Sequence, residues 1–441
     1  MGRKDDDAPL EALPSGFTDR TLVNARLATR LGASALKRTL GFGKKDASAE
    51  RAARAVHDAT ALVRELGRLK GLVMKVGQMA SYLPGALPDE AQEVLARLQA
   101  ETQPLSFARV REVVARELGD EPSKLFDRFD ETPFAAASIG QVHRARLGDR
   151  ELAVKVQYPG VDEVLDRDLS AAAWFLKMSA MGTPIDAKVV AAELRARVLE
   201  ECDYLREADA QERFRALLQR YPRCEVPEVV RDRTGRRVLT AVFADGAPFS
   251  RFRAEAIQAE KDTAGAAIFE TCFRCIFEHC VYNADPHPGN YLFRRDGRVV
   301  FLDFGCVRRF DPTMIATWKR FALAVRAGNR AEFREALCEL GLARTDDRKF
   351  DWEHQWEVTR YLYTPFLSTT PFTYTSEYVR SSYGLMIFDN PNKMRTCMPP
   401  EWLFLNRLQW GLNAILAQLG ATGPWPDLWW SAVESPAKPA F

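Results

Sequence analysis

Residues 283–306, NADPHPGNYLFRRDGRVVFLDFGC, carry the strongest signal in the chain. Four residues separate Asp285 from Asn290, and an Asp-Phe-Gly triplet begins at Asp303, thirteen positions after Asn290. Phosphoryl transfer requires a carboxylate that orients a nucleophile, then an amide and a second carboxylate that hold divalent ions. Each part alone is weak evidence, since Asp285 would also serve as a helix N-cap. The ordered set predicts a phosphoryl-transfer site.

An Ala-rich segment and a lysine precede that stretch in the order that the same chemistry needs. RARLGDRELAVKVQYP has alternating apolar residues around a Gly-Asp pair and predicts a β-hairpin, with Lys155 on its second strand, where a lysine contacts phosphates. AAASIGQVH, residues 135–143, lies where a Gly-rich phosphate loop would lie, and alanine makes such a loop stiffer. The predicted nucleotide-contacting residues are Ala135, Ala136, Ala137, Ser138, Ile139, Gly140, Gln141 and Lys155.

An acidic segment follows the lysine. EECDYLREADAQERF, residues 200–214, predicts a helix with Glu201, Asp203 and Glu207 as partners for a lysine. Six residues along one helix put Glu201 and Glu207 on different faces, so the allocation between them stays open. The strand that ends in VFADG, residues 242–246, then lies where a hinge that meets adenine is expected.

The composition is that of an ordinary globular protein. The 441 residues include 62 Lys+Arg and 60 Asp+Glu, 46% are hydrophobic, and the mean hydropathy is −0.27. No window supplies the roughly 18 uninterrupted apolar residues of a membrane-spanning helix. A net charge of +2 argues against a protein that coats nucleic acid, and eight cysteines are too few for a disulfide framework. The start of the chain lacks the features of a targeting segment, and we expect a cytoplasmic protein.

One segment departs from this charge balance. Residues 20–45 contain seven basic residues and no acid: Arg20, Arg26, Arg30, Lys37, Arg38, Lys44 and Lys45. Such a segment can lie on an anionic membrane, which would place the protein peripherally at that surface. A solvated basic helix that packs on the rest of the chain explains the pattern equally well.

The composition along the chain predicts four regions. Residues 1–18 are polar and form a flexible tail, and 19–125 form a helical extension that is rich in Ala, Leu, Glu and Arg. Residues 126–245 form a small lobe with the Ala-rich loop, the strand lysine and the acidic helix. Residues 246–441 form a mainly helical large lobe. The predicted class is α+β, mostly helical overall.

Two further groups of residues have a functional and a structural interpretation. Cys272, Cys275, His279 and Cys280 form C-x-x-C-x-x-x-H-C, which would suit zinc. The surrounding stretch is apolar with helical period, so buried packing in the large lobe is favoured. For His287 a structural role within its loop is favoured, and the tryptophans near the C-terminus are expected to pack between elements, with exposure of Trp429 or Trp430 left open.

The motifs together resemble those of the UbiB (AarF/ADCK-type) atypical kinases. The resemblance rests on the Ala-rich loop, Lys155, the E-x-D triplet at Glu201, DPHPGN and the Asp-Phe-Gly triplet. It also rests on K-x-G-Q at residues 75–78, which is highly specific to that family, and is weaker in PPEWLFLNRLQWG, residues 399–411. It implies a two-lobed protein-kinase-like fold, in which the K-x-G-Q helix packs over the active site and obstructs protein substrates.

The resemblance also implies roles for single residues. Lys155 binds ATP phosphates and pairs with a carboxylate, for which Glu207 is the first choice. Lys75, beside Gln78 of the same motif, then faces Glu201 or Asp203. Asp285 orients the nucleophile. Asn290 and Asp303 hold Mg²⁺ or Mn²⁺.

The implied function is an ATPase or phosphotransferase that supports ubiquinone or other isoprenoid-lipid metabolism, in contact with a pathway lipid or an enzyme complex. The sequence lacks the His-Arg pair before the catalytic Asp and an A-P-E motif after the Asp-Phe-Gly triplet, which favours a small or lipidic acceptor over a protein. The alternative is a nucleotide-switched assembly module for lipid-biosynthetic enzymes that transfers no group. The C-terminal WPDLWWSAVESPAKPAF differs from the apolar spanning helices of some bacterial members, so membrane attachment is expected to be peripheral or absent.

Overall fold

The computed structural model describes residues 105–137, 139–163, 195, 199–283, 286–397 and 399–440. They belong to two compact units. The first holds the described residues up to 205 together with 230–243, and the second holds 206–229 and those from 244 onward. The predicted tail, most of the predicted helical extension and the basic segment lie outside the described residues, and the four predicted regions stay predictions.

The secondary structure of the described residues mixes helices with short strands. The helices are α1 (Phe107–Leu118), α2 (Pro122–Leu125), α3 (Tyr204–Leu218), α4 (Phe249–Glu255), α5 (Gln258–His279), α6 (Pro312–Ala327), α7 (Arg330–Glu339), α8 (Trp352–Leu362), α9 (Thr364–Leu367), α10 (Ser376–Tyr383), α11 (Pro400–Leu419) and α12 (Trp425–Glu434). The strands are β1 (Arg128–Phe129), β2 (Ala135–Ala137), β3 (Gly140–Leu147), β4 (Arg150–Gln157), β5 (Cys224–Glu225), β6 (Val238–Val242), β7 (Ala247–Pro248), β8 (Val281–Asn283), β9 (Tyr291–Phe293), β10 (Val299–Phe301), β11 (Val307–Arg309), β12 (Phe372–Thr373) and β13 (Thr422–Gly423).

The first unit is built on an antiparallel sheet in the order β1-β3-β4-β6, with β2 paired to β3. The predicted hairpin is confirmed as β3 and β4, and Gly148 turns between them with φ +60°, a value that glycine adopts without strain. On β4 the residues Leu152, Val154 and Val156 are buried and alternate with half-buried ones. This period of two gives the sheet one apolar face, on which α1 packs.

A buried polar cluster ties β3 to residue 105. The Gln141 side chain is 2% exposed; its Oε1 accepts from the Leu105 N–H at 2.7 Å and its Nε2 donates to the Leu105 carbonyl at 3.4 Å. His143 Nδ1 donates to the Asp130 carbonyl at 2.8 Å, so Nε2 is left to accept from Gln141 Nε2 at 2.9 Å. Burial lowers the pKa of His143, which keeps this ring neutral.

The second unit has a core of helices around α5. From Ala264 to Phe277 α5 is buried around nearly its whole circumference, and α11 and α12 pack against it. The Trp429 ring is fully buried and stacks on Phe366 at 4.1 Å with 4° between the ring planes. Replacing such a ring with alanine typically costs about 3–5 kcal/mol of unfolding free energy.

Short strands complete the second unit. One sheet has the order β5-β10-β9-β7, and the pairs β8-β11 and β12-β13 stand apart from it. The sequence pattern does not predict β7, β8, β11, β12 or β13. They are two or three residues long, too short for an alternating pattern to reveal. None of the described helices is both long and apolar enough to span a bilayer.

The acidic segment differs from the single helix that the sequence predicts. Residues 199–201 are helical, Cys202 and Asp203 interrupt the helix, and α3 begins at Tyr204. Asp203 Oδ1 accepts from the Leu205 N–H at 3.1 Å, the bond of an N-cap residue. The argument that Glu201 and Glu207 occupy different faces of one helix is therefore wrong, because they lie on two helical segments.

Candidate active site

Lys155 occupies the middle strand of the sheet in the first unit. It pairs with Val142 on β3 and with Leu239 on β6, and its side chain lies on the face opposite the buried valines. Its ammonium nitrogen is 4.8 Å from the ring centroid of Tyr204, a buried cation–π partner at the first residue of α3. The predicted location of Lys155 on the second hairpin strand is confirmed.

The Ala-rich segment is a β-hairpin rather than an open loop. Ala135, Ala136 and Ala137 form β2 and pair with Val142, Gln141 and Gly140 on β3. A side chain at Gly140 would overlap the Val156 carbonyl oxygen and lie 3.0 Å from the Tyr204 hydroxyl oxygen. Ile139 is buried, and its carbonyl accepts from the Tyr158 N–H at 2.9 Å. The alanines therefore lie on a strand whose position is fixed by close backbone packing.

The three predicted acids differ in their surroundings. Glu201 and Asp203 are half-buried and flank Cys202, whose carbonyl accepts from the buried Gln157 side chain at 3.0 Å. Glu207, in the first turn of α3, is only 4% exposed. It follows Tyr204 by three residues, and that spacing places the two residues on one face of the helix. A carboxylate so deeply buried stays ionised only with charged or hydrogen-bonding partners.

In the second unit, α5 leads into the strand that precedes Asp285. The helix ends at Cys280, which has φ +54° and whose N–H donates to the carbonyls of Cys275 and Ile276. β8 follows at once and pairs with β11. A left-handed residue other than Gly, Asn or Asp is uncommon, and it reverses the chain sharply here.

Asn290 and Asp303 lie at one end of the β9–β10 hairpin. Tyr291 pairs with Phe301, and the Leu302 N–H donates to the Asn290 carbonyl at 3.0 Å. Asp303 Oδ1 accepts from the Gly305 N–H at 2.9 Å. The hairpin thus brings the two predicted metal ligands to the same end, and their amide and carboxylate oxygens are donors that Mg²⁺ prefers.

The structure adds one residue that sequence reasoning missed. Asn283 ends β8, and its side-chain amide donates to the backbone carbonyl of Asp303. It stands two residues before Asp285, where the sequence lacks the His-Arg pair of ordinary protein kinases. The sequence did carry a signal for it, because Asn283 is a polar residue at the end of an apolar segment and directly precedes the Asp285 motif.

The Asp-Phe-Gly phenylalanine is anchored in the second unit. Phe304 is 2% exposed and its ring centroid lies 5.2 Å from that of Phe214 on α3. The position of the triplet therefore depends on packing against the helix that carries Glu207.

Four predicted site residues lie outside the described residues: Lys75, Gln78, Ser138 and Asp285. Among the others, the first unit brings together Lys155, the Ala-rich hairpin and the turn at Glu201 and Asp203. The second unit brings together Asn290 and Asp303, and it also contains Glu207.

The other candidates have structural roles. Cys272 and Cys275 are fully buried in α5, and burial raises the pKa of both thiols, which opposes the thiolate form that zinc binds. The packing interpretation is confirmed for this stretch. His287 Nδ1 accepts from the Gly289 N–H at 3.0 Å, so its bond within the loop is to a backbone N–H and not to the expected carbonyl. Trp429 is buried, and the partly buried Trp430 donates to the Phe366 carbonyl at 2.8 Å.

The sequence model of the ABC1 atypical kinase-like domain matches residues 97–337, more than half of the 441 residues. The chain belongs to the ABC1 atypical kinase-like family. The UbiB resemblance inferred from the motifs is confirmed by this match and by relatives that are named atypical kinase COQ8.

Two curated relatives in the ABC1 family illustrate the extent of the similarity. The mitochondrial atypical kinase COQ8 of Saccharomyces cerevisiae is 30% identical over 375 residues, which cover 82% of this chain and 73% of the yeast protein. Its counterpart in Schizosaccharomyces pombe is 33% identical over 340 residues, which cover 75% of this chain and 55% of that protein. The chain therefore spans little more than half of the second relative.

A solved structure supports the fold assignment. Rv3197 from Mycobacterium tuberculosis, in a complex with erythromycin, matches with a TM-score of 0.62 and 29% identity over 80% of this chain and 90% of that one. The predicted α+β, protein-kinase-like fold is confirmed, and the protein is kinase-like in its family and its fold.

Proposed function

We propose that the protein is an ATPase or phosphotransferase that binds ATP with a divalent ion. The observation that carries the proposal is the placement of Asn290 and Asp303 at one end of the β9–β10 hairpin, with the Asp303 carbonyl held by Asn283. An amide and a carboxylate in this sequence order are the metal-holding pair of kinase-like phosphoryl transfer. Membership in an atypical kinase family supports the same conclusion.

Each residue has a role in the proposed reaction. Asn290 and Asp303 would hold Mg²⁺ or Mn²⁺, which neutralises charge on the β- and γ-phosphates when it is bound. Lys155 would bind the phosphates, and its ammonium nitrogen already lies over the Tyr204 ring. Asp285 would orient the attacking oxygen. Glu207 remains the proposed carboxylate partner of Lys155, and Lys75 and Gln78 are proposed to act with Glu201 or Asp203, as the family resemblance implies.

The proposed setting is the metabolism of ubiquinone or of other isoprenoid lipids. The names of the yeast relatives, atypical kinase COQ8, support this assignment. The absence of a protein-kinase substrate motif favours a small or lipidic acceptor, or an enzyme complex that handles one. We place the protein in the cytoplasm, peripherally at an anionic membrane.

A nucleotide-switched assembly module is the second candidate. The observation that favours it is the pairing of Ala135, Ala136 and Ala137 as strand β2, because a paired strand offers fewer free backbone N–H groups to phosphate than a glycine loop does. In that case ATP would change the conformation of the protein and no group would be transferred.

The first experiment asks whether turnover depends on the metal-side carboxylate. Purified protein is expected to hydrolyse ATP in the presence of Mg²⁺, and Asp303→Asn is expected to abolish this by removing one anionic ligand. Asp296→Asn, on the exposed β9–β10 turn, is the matched control and is expected to keep wild-type turnover. A wild-type rate equal to that of Asp303→Asn contradicts the catalytic proposal.

The second experiment separates the phosphotransferase from the switch. Terminally labelled ATP is supplied with isoprenoid-quinone precursors in membranes. A labelled precursor supports the phosphotransferase, whereas ADP with free phosphate as the sole products favours the switch over the phosphotransferase.

The membrane assignment has its own test. Flotation with vesicles that contain anionic lipid is compared between the full chain and a version that starts at residue 47. We expect only the full chain to float, and to lose flotation as salt rises, because surface attraction of basic residues is screened. Equal flotation of both versions would assign membrane binding to another part of the chain.

A further inference from the structure

A glycine inside helix α11 has no explanation in the helix itself. Gly411 lies in the interior of Pro400–Leu419, and glycine at such a position costs about 1 kcal/mol of helix stability relative to alanine. Both neighbours in the apolar pattern, Leu408 and Leu412, are buried. A glycine at such a position points to a close approach by another part of the molecule.

That approach is made by Pro286, the residue that directly follows Asp285. A Cβ at position 411 would overlap Cγ of Pro286 and lie 2.8 Å from its Cβ and 3.3 Å from its carbonyl oxygen. Pro286 is itself buried, while His287 beside it is exposed. The proline ring fixes φ, so the ring and the backbone at this position move as one body.

Helix α11 offers this proline a fixed surface. Trp410 stacks on Tyr383 of α10 with centroids 4.0 Å apart and 15° between the planes. Leu405, Leu408 and Leu412 are at most 2% exposed and belong to the core of the second unit. A helix held on its apolar side cannot shift freely to accommodate an added methyl group.

We propose that Gly411 is a positioning residue, which lets Pro286 pack on α11 and thereby sets the chain beside Asp285 for the reaction. The inference deepens the proposed function and rests on it for its kinetic part. It also gives a role to PPEWLFLNRLQWG, which ends at Gly411 and which the ATP and metal sites leave unexplained.

The other side of Asp285 is held separately. Asn283 pairs with Val307 in the β8–β11 ladder and donates to the Asp303 carbonyl. The chain is therefore fixed at residue 283 by the Asp-Phe-Gly segment and at residue 286 by the C-terminal helix.

The decisive variant is Gly411→Ala, studied in the full chain. We expect kcat for ATP to fall at least about tenfold, since a displacement near 1 Å of a catalytic group can cost a hundredfold. We expect the Kd for ATP to change less than about threefold, because the loss is confined to the transition state.

Gly265→Ala is the matched control for crowding. Gly265 also lies inside a helix of the same unit, and a Cβ there would lie 2.8 Å from Ala421 Cβ and 3.1 Å from Leu416 Cδ2. Its loss of stability is expected to be similar to that of Gly411→Ala. We expect kcat within about twofold of wild type, because the crowding falls on Leu416, five residues along α11 from Gly411, and not on Pro286.

A second substitution tests whether the two residues act through each other. Pro286→Ala removes the ring carbon that a methyl group at position 411 would overlap. We expect the double variant Gly411→Ala/Pro286→Ala to have a kcat at least about threefold above the product of the two single effects, which is the coupling expected of residues in contact. A kcat of the double variant equal to the product of the two single effects would overturn the proposal that the two residues act through each other.

Hydrogen exchange provides a readout that needs no activity. Amides in peptides that cover residues 283–293 are expected to exchange faster in Gly411→Ala, with no change in Gly265→Ala. Unchanged exchange there, or an equal kcat for the two glycine variants, overturns the positioning role. If Gly411→Ala does not fold, Pro286→Ala alone must show the faster exchange. If wild-type turnover is no faster than that of Asp303→Asn, the proposed function is wrong. The hydrogen-exchange comparison still decides whether Gly411 positions the chain at residue 286.

Discussion

The side-chain amide of Asn283 donates a hydrogen bond to the backbone carbonyl of Asp303. Asn283 ends the strand that leads to Asp285, so this bond joins the two acidic segments of the candidate site through protein atoms alone. The bond forms without a nucleotide, and it holds the backbone of Asp303 beside the end of β8.

Asn283→Ala tests this bond. We expect a loss of about 1–3 kcal/mol in unfolding free energy from the partner left unsatisfied, and a higher Mg²⁺ concentration for half-maximal turnover because Asp303 is less well positioned. Val307→Ala is the control, because it truncates the residue that pairs with Asn283 in β11 and leaves the bond to the Asp303 carbonyl in place. An unchanged Mg²⁺ dependence in Asn283→Ala would contradict a positioning role.

Lys155→Met keeps most of the apolar stem of the side chain and removes the ammonium group, with its charge, its N–H donors and its contact with the Tyr204 ring. A hydrogen bond to a charged group is worth about 1.5–3 kcal/mol, so ATP affinity is expected to fall by about ten- to a hundredfold. Lys155→Arg retains the charge and is expected to lose less. Titration with a fluorescent ATP analogue measures both, and equal affinities for wild type and Lys155→Met would remove Lys155 from the phosphate site.

Ala136→Gly and Ala137→Gly test the stiffness of the Ala-rich hairpin. Glycine frees φ and weakens β2 by about 0.5–1 kcal/mol, so the affinities for ATP and ADP are expected to change about two- to fivefold. Ala145→Gly, at the far end of β3, is the control for a weakened strand. If its effect on nucleotide binding is the same, the Ala-rich segment has no special role.

His143 predicts a pH dependence of stability. Burial lowers its folded-state pKa from the ordinary value of 6.5, so the unfolded chain binds the proton first as pH falls. The contribution of the neutral His143 ring to the free energy of unfolding is fully present above pH 6.5. It is lost as pH falls below that value, by up to about 1.4 kcal/mol per pH unit. Urea unfolding at pH 7.5, 6.5 and 5.5 should therefore show a shallower decline for His143→Asn than for wild type. The same slope in both would place the pH dependence elsewhere, for example at His279, whose pKa burial also lowers.

Local signals in the sequence were sufficient for the hairpin, Lys155 and the Asp303 triplet. Alternating apolar residues around Gly148 and the ordered motifs depend only on neighbours along the chain. Such features can be recognised without knowledge of tertiary contacts. The buried cysteines of α5 were predictable for the same reason.

The rest depends on partners that are distant along the chain. Tyr204 beneath Lys155 and Gly411 beside Pro286 are separated from those partners by many residues, and no periodicity reports such pairs. The interruption at Asp203 is different, because Asp before a helix is a favoured N-cap. The acidic pattern concealed it, since Glu and Arg on both sides are good helix formers.

The Gln141 side chain contacts both the N–H and the carbonyl of Leu105, the pair of bonds that a neighbouring strand would make. Gln141 also lies opposite Ala136 across the hairpin. Leu105 and the Ala-rich strand thus share one mechanical linkage that runs through a single side chain. A displacement of that strand would be passed to residue 105, which belongs along the sequence to the predicted extension 19–125 that carries K-x-G-Q.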